Sequence, residues 1–293
     1  MITNLGNRFN FAKILLGIFI FSLMSNNVFA GWNTAQERTL NKLESVINKN
    51  LDNTEVTITS QERNKPQFKI LTVQPLAEQD NNITFFQGSA IRSDGDRETV
   101  NLGLGHRIFL NDDLTMLGIN GFYDHELDYD HKRTSIGAEL RTSAYEFNTN
   151  SYFAGSNSRT GKNNIAEESL DGFDFEVGGH LPYIPNWKVF TKHFDFEVPG
   201  GNDFEGLEYS TEIYVPGKGF KLVAGHKDYD NHNDNWFFEI SFNLGAVNSN
   251  SKFVRDTAYS LTSMKDKKLD KVRRENLIIK KKGSGFTVTA SGF

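Results

Sequence analysis

An all-β fold, an antiparallel up-and-down transmembrane β-barrel of about twelve strands, is what this sequence predicts. Three observations lead there. Apolar and polar residues alternate with period two in one segment after another, as in strands that have one greasy and one wet face. Glycines and charges gather on the polar face, where a dry core would make each unpaired charge cost several kcal/mol. The connections between segments alternate between tight and long, as expected of short periplasmic turns and longer surface loops.

Composition is compatible with a barrel without announcing one. Mean hydropathy is −0.48, and past the first thirty residues no stretch approaches the roughly eighteen apolar residues that mark a spanning helix. A barrel passes that test unseen, because only alternate residues face lipid. The 25 Phe, 9 Tyr and 25 Gly favour an aromatic, sheet-rich chain. A net charge of −5, spread along the chain, argues against a nucleic-acid partner. With no Cys, disulfides and thiolate metal sites are excluded.

Residues 1–30 read as a signal peptide. Arg8 and Lys13 precede an apolar core, Ile14 to Met24, and Val28 and Ala30 stand at the minus-three and minus-one positions, so cleavage is expected between Ala30 and Gly31. Residues 31–53 form a periplasmic segment in which Leu40, Leu43, Val46 and Ile47 recur at helical spacing, an amphipathic helix ahead of the barrel.

The barrel spans 54–244. Its first strands, Thr54 to Thr59, Phe68 to Leu76 and Ile83 to Arg92, carry the weakest patterns, which leaves a ten-strand count open. Thr99 to Leu110 is clear, with Val100, Leu102, Leu104, Ile108 and Leu110 opposite Asn101, Gly103, Gly105 and Arg107; His106 and Phe109 break the alternation. Leu114 to Asp124, Arg133 to Thr142, Tyr145 to Phe153 and Gly172 to Leu181 follow. Trp187 to Phe196 is ambiguous in register; Leu207 to Val215, Phe220 to Asp228 and Trp236 to Leu244 complete the set. In the last strand Trp236, Phe238, Ile240, Phe242 and Leu244 share one face, and its aromatic ends suit an interfacial girdle. That strand also has the look of a terminal recognition signal for outer-membrane assembly machinery.

Four charges, Arg107, Glu139, Arg141 and Glu176, are aimed into the lumen by the alternation. Either they pair across it and grip the tail, or they simply keep a wet interior solvated. No catalytic, cofactor or metal site is expected. The seven His are scattered without a His-x-x-x-His pair, no nucleophile elbow is visible, and the run DYDNHND at Asp228 to Asp234 lacks the ordered calcium-loop spacing.

The blocks NLGLGHRIFL, MLGINGFYDHEL, RTSIGAELR, NSYF, DGFDFEVGGHLPYIP and FFEISFNL, in that order, resemble the inverse autotransporter barrel of the intimin and invasin family. The resemblance implies a twelve-stranded outer-membrane barrel that acts as translocator and anchor of an adhesin. Its C-terminal segment would thread the lumen, and its partners would be outer-membrane lipid, periplasmic chaperones, the assembly machinery and a host or cell-surface receptor. Residues 245–293 would be linker and plug, with Tyr259 to Lys282 similar to the family's pore helix and extended piece. Family members continue into passenger domains, whereas the stretch after Lys282 is too short to fold alone. A passive porin and a barrel that binds through its surface loops are the competing readings.

Overall fold

A computed structural model describes residues 53–62, 64–215, 219–244, 253–283 and 287–288. The expected signal peptide, its cleavage point and the N-terminal helix lie outside the described residues.

Twelve antiparallel strands close a barrel. They are β1 (Thr54–Gln61), β2 (Gln67–Gln79), β3 (Asn82–Ser93), β4 (Arg97–Leu110), β5 (Thr115–Glu126), β6 (His131–Thr142) and β7 (Tyr145–Ala154), followed after a long loop by five more. Inside that loop lie two short strands, β8 (Arg159–Thr160) and β9 (Ala166–Ser169). The barrel resumes with β10 (Gly172–Leu181), β11 (Ile184–Phe196), β12 (Phe204–Val215), β13 (Phe220–Tyr229) and β14 (Asn235–Leu244). Each strand pairs with its neighbour, and β1 closes on β14 with Thr54 opposite Leu244 and Gln61 opposite Phe237. Closure leaves no barrel edge unpaired, which a hydrocarbon environment requires.

The weak first strands are full members. β1 shows little apolar contrast because its inward side is built of Thr57 and Thr59, bonded to Ser241 and Glu239 of β14. In β2, Pro75 interrupts the alternation, and the register against β3 shifts between Pro75 and Ala77, a bulge that absorbs the missing N–H.

The outer face is an apolar belt. Leu104, Ile119 and Ile136 are 58%, 67% and 60% exposed, and Phe147, Phe175, Phe238 and Phe242 also face outward. Inside, charge and aromatic carbon alternate. The register of β11 is resolved by Phe190, Lys192, Phe194 and Phe196 all being buried inward, an aromatic face that hydropathy alone assigns to lipid. Glycines make room for these rings: a Cβ on Gly105 would come within 2.2 Å of the Phe85 ring, and one on Gly103 within 2.2 Å of Phe122. Both break-points of β4 also fall into place, Phe109 buried inside and His106 half-buried outside against Thr84.

Because Ile136 faces lipid near the middle of β6, Ile136→Arg is expected to cost about 2–4 kcal/mol, the penalty of a cation at the bilayer midplane. Reversible unfolding in lipid vesicles measures it. A loss no greater than for Ile136→Ala would move β6 out of the hydrocarbon.

The two rims differ. Connections 80–81, 111–114, 143–144 and 182–183 at one rim hold two to four residues, whereas at the other 94–96 and 127–130 are as short but 62–66, 155–171, 197–203 and 230–234 hold five to seventeen.

Candidate functional site

The lumen is filled by the chain's own C-terminal segment. It meets the short-turn rim first, where Arg255 N donates to Tyr183 O, Tyr183 N to Ala258 O, Thr262 N to Ser143 Oγ and Met264 N to Asp113 O. A single 3₁₀ turn, Met264–Lys267, is its one helical piece among the described residues. From there the chain runs through the barrel in extended or irregular form and ends in β15 (Lys280–Lys282) and β16 (Thr287–Val288) at the long-loop rim.

The expected linker helix is thus corrected to a mostly non-helical strap, and the reason lies in the wall. A helix satisfies its own backbone; here wall side chains satisfy it instead. Arg107 donates to Lys268 O at 2.7 Å, Arg141 to Lys271 O at 3.2 Å and Asn150 to Arg273 O at 3.0 Å. Arg133 reaches both Glu275 O at 2.7 Å and Leu277 O at 2.8 Å, and Asn101 reaches Asn276 O at 2.9 Å. In the other direction Val272 N donates to Gln87 Oε1 and Glu275 N to Tyr152 Oη. A buried irregular chain needs such partners at each level.

Charge complementarity reinforces the grip. Arg273 bonds Glu176 at 2.5 and 2.9 Å and Glu212 at 2.6 Å. Arg274 forks onto Asp124 at 2.6 and 3.0 Å, a carboxylate that Arg133 and Asn101 also hold. Lys271 pairs with Glu55 at 2.7 Å, and Lys280 with Glu126. Aromatic faces back the cations, with Arg273 over Phe190 at 3.7 Å and Arg274 over Phe122 at 4.3 Å.

Apolar anchors lie at three levels between these charges. Met264 packs with Ile83, Phe109 and Met116 near the short-turn rim. Val272 packs with Leu71, Val73, Phe85 and Phe122. Ile279 enters a cluster of Tyr152, Leu170, Phe194, Phe196, Val198, Phe204 and Tyr229 near the other rim. Each buried aliphatic side chain contributes roughly 1.5–3 kcal/mol when removed from water.

The four charges aimed inward by the alternation all sit in this lumen. Arg107 bonds Glu139 at 2.5 Å, Arg141 pairs with Glu139 at 2.8 Å, and Glu176 holds Arg273. Asp124, Arg133, Glu212 and Arg97 have equal weight in the network but are not singled out by sequence. Strand parity alone places them inside. What it lacks is their partners, which for Asp124, Arg133 and Glu212 lie 61 to 150 residues away in the tail. Trp236, Phe238, Ile240 and Phe242 of β14 face outward, while Leu244, at the strand end, is buried.

At the long-loop rim Glu126, His131 and Glu167 converge, their ligand-type atoms within 4.8 Å of one another. The scattered His of the sequence give no sign of this. The protein's own cations stand among these groups: Arg97 forks onto Glu167 at 2.6 and 2.9 Å and bonds Glu126 at 2.7 Å, and Lys280 takes the other Glu126 oxygen. Burial alone would push the Glu167 carboxyl up, but hydrogen bonds from His131 and Arg97, with Lys280 nearby, outweigh it and hold the carboxyl at about 2. A carboxyl lowered in the folded chain stabilises it above the ordinary carboxylate range, and that stabilisation is lost as pH falls through the folded value. Amide protection in β9 and β15, the slowing of exchange relative to an unstructured peptide at the same pH, is therefore expected to stay high at about pH 6 and to fall only from roughly pH 4.5 down towards 2. Equal protection at both ends of that range would mean that the Glu167 carboxylate does not hold β9 and β15 together.

A closed barrel of twelve strands with a lipid-facing belt and a polar lumen is an outer-membrane β-barrel. The family profile described as "Inverse autotransporter, beta-domain" matches residues 25–276, and the chain belongs to that family. The chain is 33% identical over 113 residues to a "Putative attaching and effacing protein homolog" of Escherichia coli K12, covering 38% of each chain. It is also 33% identical over 132 residues to "Inverse autotransporter adhesin YeeJ" of the same strain, covering 43% of this chain and 6% of the relative. The matched regions thus span well under half of those relatives. A solved structure from work on in-meso crystallization of membrane proteins shares the fold, with a TM-score of 0.65 at 20% identity over 78% of this chain and 99% of the other.

Proposed function

We propose that the barrel is the translocator and anchor half of an intimin- or invasin-like adhesin, and that it exports or displays its C-terminal segment through its lumen. One observation carries the reading: residues 264–282 run from the short-turn rim to the long-loop rim, held at each level by wall side chains. In an outer-membrane barrel the short turns are periplasmic and the long loops external, so this direction is outward. On the same reading residues 1–30 are a signal peptide cleaved between Ala30 and Gly31. Residues 31–53 stay periplasmic, 54–244 form the translocator, and 245–293 are linker, plug and tail. The named adhesin relatives support this assignment, and a cell-surface receptor is the partner such a display would meet.

An epitope placed after Phe293 tests export. Antibody binding to intact cells is the expected result; binding only after the outer membrane is permeabilised would leave a porin or a loop-displaying barrel.

Assembly is read from β14. Phe242 faces outward at 41% exposure in the strand that closes the barrel on Val56 of β1. Phe242→Arg is expected to reduce the folded fraction severalfold, seen as the heat-modifiable band in gel electrophoresis. An unchanged band would remove β14 from recognition by the assembly machinery.

A further inference from the structure

The long loop between β7 and β10 contains more ordered structure than an inert surface loop requires. Its strand β9 is fixed from beneath by groups that do not belong to the tail. Arg97 forks onto Glu167, Ser169 Oγ lies 3.0 Å from Ser156 Oγ and 3.3 Å from His131 Nδ1, and Gly161 N donates to Ile165 O within the loop. The outer turn is moored to the β3–β4 turn by Lys162, 2.6 Å from Asp96. On one side β9 pairs with β8, and on the other it meets the chain leaving the lumen. There Lys280, Lys281 and Lys282 lie opposite Ser169, Glu168 and Glu167, framed by Leu170 N donating to Ile279 O and Gly283 N to Ala166 O. Lys281 Nζ also donates to Pro199 O of the next loop at 2.6 Å. The emerging chain then folds back as β16 against β15, giving a four-stranded sheet in the order β16-β15-β9-β8.

We propose that residues 155–171 are a strand acceptor, a preformed edge that captures the chain's own strand β15, residues 280–282, as it leaves the pore and starts its β structure outside the membrane. Backbone pairing of this kind supplies affinity for an extended segment, and flanking side chains supply selectivity. Here Glu126 and Glu167 select the lysine run, and Leu170 with its aromatic neighbours receives Ile279. Capture also opposes back-sliding, because withdrawing the tail would strip this ladder and unpair Glu126 from Lys280. The inference rests on the export reading above.

The chain has no cysteine of its own, so an engineered pair reports cleanly. Glu168 and Lys281 are directly opposed, within the Cα separation that a disulfide spans. Glu168→Cys with Lys281→Cys is expected to form a disulfide on intact cells under mild oxidation, while Glu168→Cys with Lys265→Cys, at the opposite rim, forms none. The single Lys281→Cys variant is labelled in parallel with a membrane-impermeant maleimide, and the heat-modifiable band confirms folding of each variant. Surface labelling of the Lys281→Cys variant, with no disulfide in the Glu168→Cys/Lys281→Cys pair, would overturn capture and leave export standing. Neither labelling nor a disulfide, in a folded barrel, would overturn both.

Discussion

Asp124→Asn is expected to lower the unfolding free energy by about 3–5 kcal/mol, the cost of leaving buried charge uncompensated. Asp124 is fully buried and is the single acceptor that Arg274 of the tail and Arg133 of the wall share, with Asn101 on the same oxygen as one arm of Arg274. Replacing its charge strands two guanidinium groups, one of which also holds the carbonyls of Glu275 and Leu277. The loss should therefore reach both the barrel and the strap. Denaturant unfolding in detergent reads it, with Asp124→Asn/Arg274→Met as the companion variant, since removing both members of a buried pair costs less than removing one. If the single variant is as stable as the parent, the wall and tail are not joined through this carboxylate.

Deleting residues 245–293 is expected to change the barrel from closed to conducting. With the strap in place, Met264, Val272 and Ile279 fill three levels of the bore, and Arg273 and Arg274 cross it to Glu176, Glu212 and Asp124. Without it, those carboxylates, with Glu55 and Glu126, lose their tail cations and line a water-filled path. Asp124, Glu126 and Glu55 keep the wall cations Arg133, Arg97 and Lys221, so the loss of Arg273 from Glu176 and Glu212 is what tips the opened lumen towards cations. Planar-bilayer recordings should show little conductance for the full chain and discrete, cation-preferring steps for the deletion. Large conductance from the full chain would show that the bore is open beside the tail.

The barrel is legible because strand parity is a local property. Thr99 to Leu110 and Arg133 to Thr142 declare their two faces without reference to any partner. Parity weakens where the inner face is itself apolar, as in β11 with Phe190, Phe194 and Phe196, or where Pro75 interrupts β2. The strap is the real difficulty. For the run LDKVRRENLIIKKK a pore helix is what the family resemblance implies, and its extended form is set by Arg107, Arg133, Asn150 and Asn101, which reach its carbonyls from strands far back in sequence. Strands β8 and β9 escape notice for a similar reason. They are two and four residues long and polar, and the groups that fix β9, Arg97 and His131, stand in barrel strands far from it in sequence.

Threading of the lumen is tested most directly by labelling single-cysteine variants at three levels of the tail. Lys265 lies at the short-turn rim, Val272 is buried in the bore and Lys281 lies at the long-loop rim. A membrane-impermeant maleimide is predicted to label Lys281→Cys on intact cells, Lys265→Cys only once the outer membrane is permeabilised, and Val272→Cys only after denaturation. Equal labelling of all three variants from the periplasmic side would contradict threading.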